Sequence, residues 1–366
     1  MTKSDVIIVA NSPGELSALV KPVAEELAKQ KDHRLILVLT PCQYISGKEL
    51  EYVKTIKGLS EVVTAEEYKN WIIKNRKPKI KFHQRGVVLY LGGDLAHAVL
   101  VAKKVKYPAL AYVQDRIGWT GSYKKFFVPD DKAARKFSKY KKKIRVVGNL
   151  MVDSVQQIPD WEPAKNAITF LPGSRNWQIK HMTPIYKRIA DAIRAQLPGA
   201  GFQIVSSPFE KASQLAGTKI IEFEEVTNSE LVITIPGTNT ARLAALGVPM
   251  IVIFPLDNPD VIPLEGLPHY IGLVPYFGSK FKRFLADTLN KRNKYWALPN
   301  MKADREIVPE IRGLIDPGIV AQKAVALLKD RGRREKMSAE LKKALGGPGA
   351  ARRIAEEIDE TLRPAA

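Results

Sequence analysis

Two stretches of this 366-residue sequence combine a tight glycine turn with groups that hold anions. In Pro172-Gly173-Ser174-Arg175 the glycine lets backbone N–H groups turn toward a ligand. The serine there supplies a hydroxyl, and the arginine a planar fork matched to phosphate oxygens. In Pro236-Gly237-Thr238-Asn239-Thr240 the polar residues open a helix, where unpaired N–H groups and the helix dipole favour negative charge. The dipole alone contributes about 0.3–1 kcal/mol at an exposed site, so a diphosphate needs several donors converging on it. Each stretch also has a plainer reading: a surface turn in the first, a Thr or Asn helix cap in the second.

Two further stretches carry groups able to move a proton. Gly92-Gly93-Asp94 follows an apolar run at 87–91, and Asn11-Ser12-Pro13-Gly14-Glu15 follows another at 6–10. A positioned carboxylate that takes a proton from an attacking hydroxyl contributes roughly 10²–10⁴ in rate. Asp94 is the first candidate for that base, with Glu15 and His97 behind it. Asp94 also reads as a helix cap, and a lone His97 is more often a packed or surface histidine.

All four stretches follow apolar runs of strand length, and the elements repeat in βαβ order. The first half gives strands at 5–10, 34–40, 87–91, 109–113 and 144–147, with a helix over about 17–30. The stretch 157–166, polar and with two prolines, reads as a linker. After it the pattern restarts: strands at 167–171, 202–206, 231–235 and 249–254, with helices near 181–195 and 239–246. Helices at 319–329 and 334–345 follow, then Gly346-Gly347-Pro348-Gly349 and a last helix at about 350–362. The expected architecture is α/β: two Rossmann-like domains whose parallel sheets face an interdomain cleft, where such folds bind ligands. The expected divisions are 1–156, the linker 157–166, 167–345, and a C-terminal helix at 346–366 packing back toward the N-terminal domain.

Composition narrows the function. A hydrophobic content of 45% with 26% charged residues belongs to a globular protein, and one cysteine excludes a disulfide framework. No apolar run is long enough to span a bilayer, which points to the cytoplasm or to the cytoplasmic face of a membrane. The net charge is +20, and residues 74–145 carry 20 Lys and Arg against 4 Asp. Such a face attracts anionic lipid, anionic substrates or nucleic acid, or is a solvated lysine-rich surface. The stretches 70–77 and 276–284 mix aromatic and aliphatic residues with basic ones, as an interfacial segment does, or as ordinary amphipathic packing does. There is no G-x-G-x-x-G after a strand, no Walker A sequence and no zinc spacing.

Read in order, these motifs resemble the lipid-A-disaccharide synthase family, glycosyltransferases of the GT-B fold. The resemblance rests on Gly14-Glu15 with Ser17, Gly92-Gly93-Asp94, Val147-Gly148-Asn149 with Val152-Asp153, and Leu171-Pro172-Gly173-Ser174-Arg175. It continues through Gly237-Thr238 with Pro249-Met250, and Leu298-Pro299-Asn300 with Arg305-Glu306 and Val308. It implies inverting transfer of a sugar from a UDP-sugar of the UDP-GlcNAc type to a lipid-linked hydroxyl, with no metal and no other cofactor. It further implies a peripheral enzyme on the inner face of the cytoplasmic membrane, against an anionic surface, with no nucleic-acid partner. A homodimer is left open.

By the same resemblance, Gly173, Ser174, Arg175, Gly237, Thr238, Asn239, Thr240 and Arg242 hold the donor, with Arg175 on its diphosphate. Gly14, Ser17 and Trp119 lie on the acceptor side, and Asp94 falls in the region of the family's catalytic aspartate. Trp119 either flanks a sugar ring or fills core. The chain departs from the family pattern at His97 and Val99, where an acid and an asparagine are expected, and at Arg242, where a glutamate is expected. Gly148-Asn149 replaces a glycine-histidine pair, and Ala18-Leu19 a glycine-aspartate pair. Arg242 marks an extra donor charge or a helix-surface arginine. A UDP-sugar epimerase of similar fold, a non-catalytic homologue and a basic nucleic-acid binder are the alternatives.

Overall fold

The apolar run at 6–9 is the middle of β1 (Ser4–Ala10), whose seven residues are all buried. A parallel strand covered by helices on both faces must be apolar without alternation, and this one is. Its one carboxylate, Asp5, is fully buried and paired. It accepts from the Arg34 guanidinium at 2.9 and 3.1 Å, from the His83 backbone at 2.7 Å and from the Tyr107 hydroxyl at 3.1 Å. The computed structural model describes residues 4–30, 32–42, 47–114, 116–209, 215, 217–256 and 294–363. They divide into two units: 1–157 with 346–366, and 158–345.

In the first unit, helix α1 opens at Pro13–Glu15, passes through a π-turn at Leu16–Val20 and continues over Lys21–Leu27. It starts earlier than expected, because Ser12 and Glu15 close a capping box around its first turn. There follow β2 (His33–Leu39), α2 (Glu49–Lys54), β3 (Leu59–Val63), α3 (Ala65–Lys74), β4 (Gly86–Tyr90) and α4 (Leu95–Val105). Then come β5 (Ala109–Tyr112), β6 (Tyr123–Val128), α5 (Asp131–Lys136), β7 (Ile144–Val146) and α6 (Leu150–Asp153). Among the described residues, seven strands pair in parallel in the order β3-β2-β1-β4-β5-β6-β7. The order reverses between β1 and β4, and there the C-terminal ends of the strands open a crevice suited to ligands.

The second unit repeats the plan: β8 (Ala167–Leu171), α7 (Asn176–Gln196), β9 (Gly201–Val205), β10 (Thr218–Ile221), β11 (Leu231–Thr234) and α8 (Thr238–Leu246). It continues with β12 (Met250–Pro255), α9 (Leu298–Ala303), β13 (Glu310–Gly313), α10 (Pro317–Lys329) and α11 (Arg331–Leu345). Its described strands form a parallel sheet ordered β10-β9-β8-β11-β12-β13, with the reversal between β8 and β11. The last helix, α12 (Ala350–Leu362), returns to the first unit, packing on α1, α6 and β4. Asp153 fastens it: its carboxylate accepts from the backbone N–H groups of Gly349 at 2.7 Å and Ala351 at 2.6 Å.

Several elements differ from the sequence expectation, each for a physical reason. The stretch 157–166 is not a free linker from 158 onward. The Trp161 indole donates to the Ser229 carbonyl at 2.7 Å, and the Glu162 and Ala164 N–H groups bond Thr227 and Asn228, all within the second unit. Helix α7 begins directly after Arg175 rather than near 181, because Arg175 is extended and serves as its N-cap. The edge strands β3, β10 and β13 are half-exposed, so they carry no continuous apolar run to mark them. Strand β6 hides behind Lys125, which is nearly buried and pairs with Glu357 at 2.6 Å and Glu360 at 2.7 Å on α12.

Candidate functional site

The four glycine stretches fall at the two reversals of strand order. In the first unit the turns after β1 and β4 lie side by side and are tied together by Glu15. One carboxylate oxygen of Glu15 accepts from the Gly93 N–H at 3.0 Å. The other accepts from Asn11 at 3.1 Å and Ser12 at 3.0 Å. A β-carbon on Gly92 would sit 2.0 Å from the Glu15 carboxyl carbon, so residue 92 must be glycine for the carboxylate to fit. Burial pushes the Glu15 carboxyl above its ordinary range, and the three N–H bonds oppose that shift. Glu15 is therefore a tie between turns, held by three N–H groups.

Asp94 caps α4: its side chain accepts from the Ala96 N–H at 2.8 Å, and the residue is exposed. The cap uses Oδ1 and leaves Oδ2 without a hydrogen bond to a described residue. The two readings of Asp94, cap and base, are thus compatible. Three tyrosines from three elements hold the segment that carries it. Tyr90 donates to the Gly93 carbonyl at 2.7 Å and Tyr123 to the Leu95 carbonyl at 2.7 Å. The Tyr68 hydroxyl lies 2.6 Å from Nδ1 of His97. Burial drives the Tyr68 phenol up to about 12 and raises that of Tyr123 well above its usual value. It lowers His97, with the Asp94 charge opposing. These groups stay neutral, as a rigid hydrogen-bonded platform requires. None of the tyrosines is evident in the sequence, because each lies far along the chain or inside a strand whose apolar pattern absorbs it.

The other acceptor-side residues divide. Gly14 lies in the first turn of α1, and the Ser17 hydroxyl turns back onto the Pro13 and Gly14 carbonyls at 3.2 and 3.3 Å. Trp119 does not fill core: it is 56% exposed, at φ +51°, next to Gly118, where a β-carbon would lie 3.6 Å from Leu95. An exposed indole held beside the Asp94 segment is available to a ligand. Trp71 is 1% exposed and stacked on Phe82, so the apolar part of the stretch 70–77 is mainly core packing, with Ile73 left exposed. The stretch 276–284 lies outside the described residues.

In the second unit the turn 172–175 lies beside the turn 235–237, since Leu171 of β8 pairs with Thr234 of β11. Ile235 packs close to Gly173, and α7 and α8 both point their N-termini at this edge. Gly237 has φ +148° and ψ −169°, a conformation closed to side-chain-bearing residues, and no atom crowds it. Gly173, Ser174, Arg175, Thr238 and Asn239 are half-buried along the rim and Gly237 is exposed, giving hydroxyl, amide, guanidinium and backbone N–H donors. Together they suit a diphosphate.

One expected donor contact is corrected, at Thr240. The Thr240 hydroxyl is fully buried, donating to the Gly237 carbonyl at 2.7 Å and accepting from the Leu298 N–H at 3.4 Å; it braces the turn from inside. The Arg242 guanidinium sits 3.6 Å from the centre of the Phe223 ring, a cation–π stack that neither earlier reading anticipated. Asn300 of the Leu-Pro-Asn motif is also structural: fully buried, it bonds the backbone of Ile307 and Val308 and the Glu310 carboxylate. Among the described residues no three His, Cys, Asp or Glu side chains form a group able to hold a metal.

No family model matches the chain. Its sequence is similar to the lipid-A-disaccharide synthase of Anaeromyxobacter dehalogenans, 28% identical over 216 residues that make up 55% of this chain and 50% of the relative. That of Gloeothece citriformis is 25% identical over 250 residues, 62% of this chain and 59% of the relative. The chain is a divergent relative of the lipid-A-disaccharide synthases. It spans about half the length of the curated relatives it matches. Among solved structures, UDP-GlcNAc 2-epimerase from Neisseria meningitidis bound to UDP-GlcNAc aligns with a TM-score of 0.57 at 15% identity, covering 97% of this chain and 100% of that one. MurG from Acinetobacter baumannii aligns at 0.54 with 13% identity, covering 98% and 99%. The two parallel-sheet units have the GT-B fold.

Proposed function

We propose that the chain is an inverting glycosyltransferase that moves a sugar from a UDP-sugar of the UDP-GlcNAc type to a hydroxyl of a lipid-linked acceptor. Arg175, with Ser174, Thr238, Asn239 and the N–H groups at Gly173 and Gly237, takes the donor diphosphate on the second unit. Asp94 takes the proton of the attacking hydroxyl on the first. The oxygen of that hydroxyl attacks the anomeric carbon, the bond to the diphosphate breaks, and Arg175 neutralises the charge on the departing UDP. The observation that carries the reading is the placement of an uncommitted carboxylate oxygen at one strand-order reversal and a cationic, N–H-rich rim at the other.

No step requires a metal, so transfer persists in EDTA. A peripheral site on an anionic membrane is supported by exposed Lys132, Arg135, Lys136, Lys139, Lys141 and Lys142 on one edge of the first unit. No described helix is long and apolar enough to cross a membrane.

The test is UDP release from UDP-GlcNAc with an acylated sugar acceptor. Asp94→Asn lowers kcat by roughly 10²–10⁴, and Arg175→Ala lowers it by about 10²–10³. Unchanged turnover in both variants removes the mechanism. Isomerised UDP-sugar formed without acceptor assigns the chain to the epimerase reaction instead.

A further inference from the structure

His97 is one helical turn from Asp94, and at first sight it doubles Asp94 as a base. Its surroundings argue otherwise. The Tyr68 side chain is buried on α3, and among the described residues its hydroxyl has one hydrogen-bond partner, Nδ1 of His97 at 2.6 Å. A phenol far from ionising keeps its proton, and a buried O–H left without an acceptor costs about 1–3 kcal/mol. The Tyr68 proton therefore points at Nδ1, which must present its lone pair. A neutral imidazole that accepts at Nδ1 carries its hydrogen on Nε2.

The rings meet edge to face, with centroids 5.3 Å apart and planes at 86°, which fixes the imidazole in orientation as well as tautomer. His97 is half-buried, and its Nε2 makes no hydrogen bond to a described residue. His97 lies three residues after Asp94, its backbone N–H bonded to the Asp94 carbonyl at 3.0 Å, on the same side of the first turn of α4.

We propose that His97 is a hydrogen-bond donor to an oxygen of the acceptor's polar head, presented through Nε2–H beside Asp94, and that Tyr68 is the positioning residue that sets this tautomer. The inference rests on the reading of the first unit as the acceptor side. Asp94 then works alone as base, and His97 selects for an acceptor with an oxygen next to the reacting hydroxyl. Burial supports the arrangement by keeping the imidazole neutral.

The first measurement needs no turnover. In the ¹⁵N-labelled protein, the His97 resonances are identified among those of the five histidines by difference with His97→Gln. His97 is expected as the Nε2–H tautomer, and Tyr68→Phe is expected to give a mixture. An Nδ1–H tautomer in the unsubstituted protein overturns the proposal. Adding an acylated sugar phosphate in detergent shifts the Nε2 resonance; no shift at saturating acceptor also overturns it.

The second measurement is kinetic. Gln places an amide N–H near the Nε2 position and Asn near Nδ1. His97→Gln is therefore expected to keep the acceptor KM within about threefold, while His97→Asn raises it about tenfold with the donor KM unchanged. Equal acceptor KM values in the two variants sink the donor role. Absence of transfer by the unsubstituted protein, with the tautomer and the acceptor-induced shift intact, sinks the proposed transferase and leaves His97 as a ligand-binding donor.

Discussion

The close fit between Gly92 and Glu15 can be tested as a coupled pair. Gly92 is not at positive φ, so an alanine there meets no backbone strain. Its β-carbon instead meets the Glu15 carboxyl group, with contacts of 2.0, 2.1 and 2.5 Å. The carboxylate must leave, and with it go three N–H bonds, to Asn11, Ser12 and Gly93, each 3.0–3.1 Å long.

A hydrogen bond to a charged group contributes about 1.5–3 kcal/mol, and water entering the opened turn returns part of that. Gly92→Ala is therefore expected to destabilise the first unit by about 3–5 kcal/mol. In a Glu15→Ala background the obstacle is gone, and the same substitution costs under about 1 kcal/mol. Amide exchange in β1 and β4 reads the first unit separately from the second. Costs that are equal in the two backgrounds refute the tie between turns, whatever their size.

Three other outcomes follow from the geometry. Asp153→Ala removes the carboxylate from the Gly349 and Ala351 N–H groups and is expected to loosen α12 by about 2–4 kcal/mol, read as faster amide exchange in residues 349–362; unchanged exchange contradicts it. Burial lowers the His97 pKa in the fold below its unfolded value near 6.5, with buried neutral Tyr68 facing the ring from α3 and Asp94 opposing the shift from the cap of its own helix. The unfolded chain then binds the proton first. This contribution to stability is full above the unfolded value and is lost as pH falls through it toward the folded pKa, so His97→Gln flattens the acid-side slope of stability against pH. The Arg242 stack on Phe223 couples the two by about 0.5–2 kcal/mol in a double-mutant cycle with Arg242→Met and Phe223→Leu. UDP affinity measured by calorimetry is expected to stay within about twofold in Arg242→Met; a tenfold loss returns Arg242 to the donor site.

The central strands and glycine turns were legible because burial on both faces of a parallel sheet demands unbroken apolar runs, and each run here stops at a residue of special backbone. That pattern located β1, β4, β8 and β11, and with them Glu15, Asp94, Arg175 and Gly237. The edge strands escaped it, since a half-exposed strand such as Glu310–Gly313 tolerates polar residues on both faces.

Residue types alone could not separate a ligand-facing hydroxyl from a bracing one. Thr238 and Thr240 are two positions apart at one helix start, yet Thr240 is turned inward onto Gly237 and Leu298. Nor could they show that Tyr68, Tyr90 and Tyr123, scattered over 56 positions, converge on five residues around Asp94. Local sequence determines where a chain turns, because backbone conformation and burial are short-range demands. Which donor meets which acceptor depends on neighbours brought in by the sheet, and only the tertiary structure decides that.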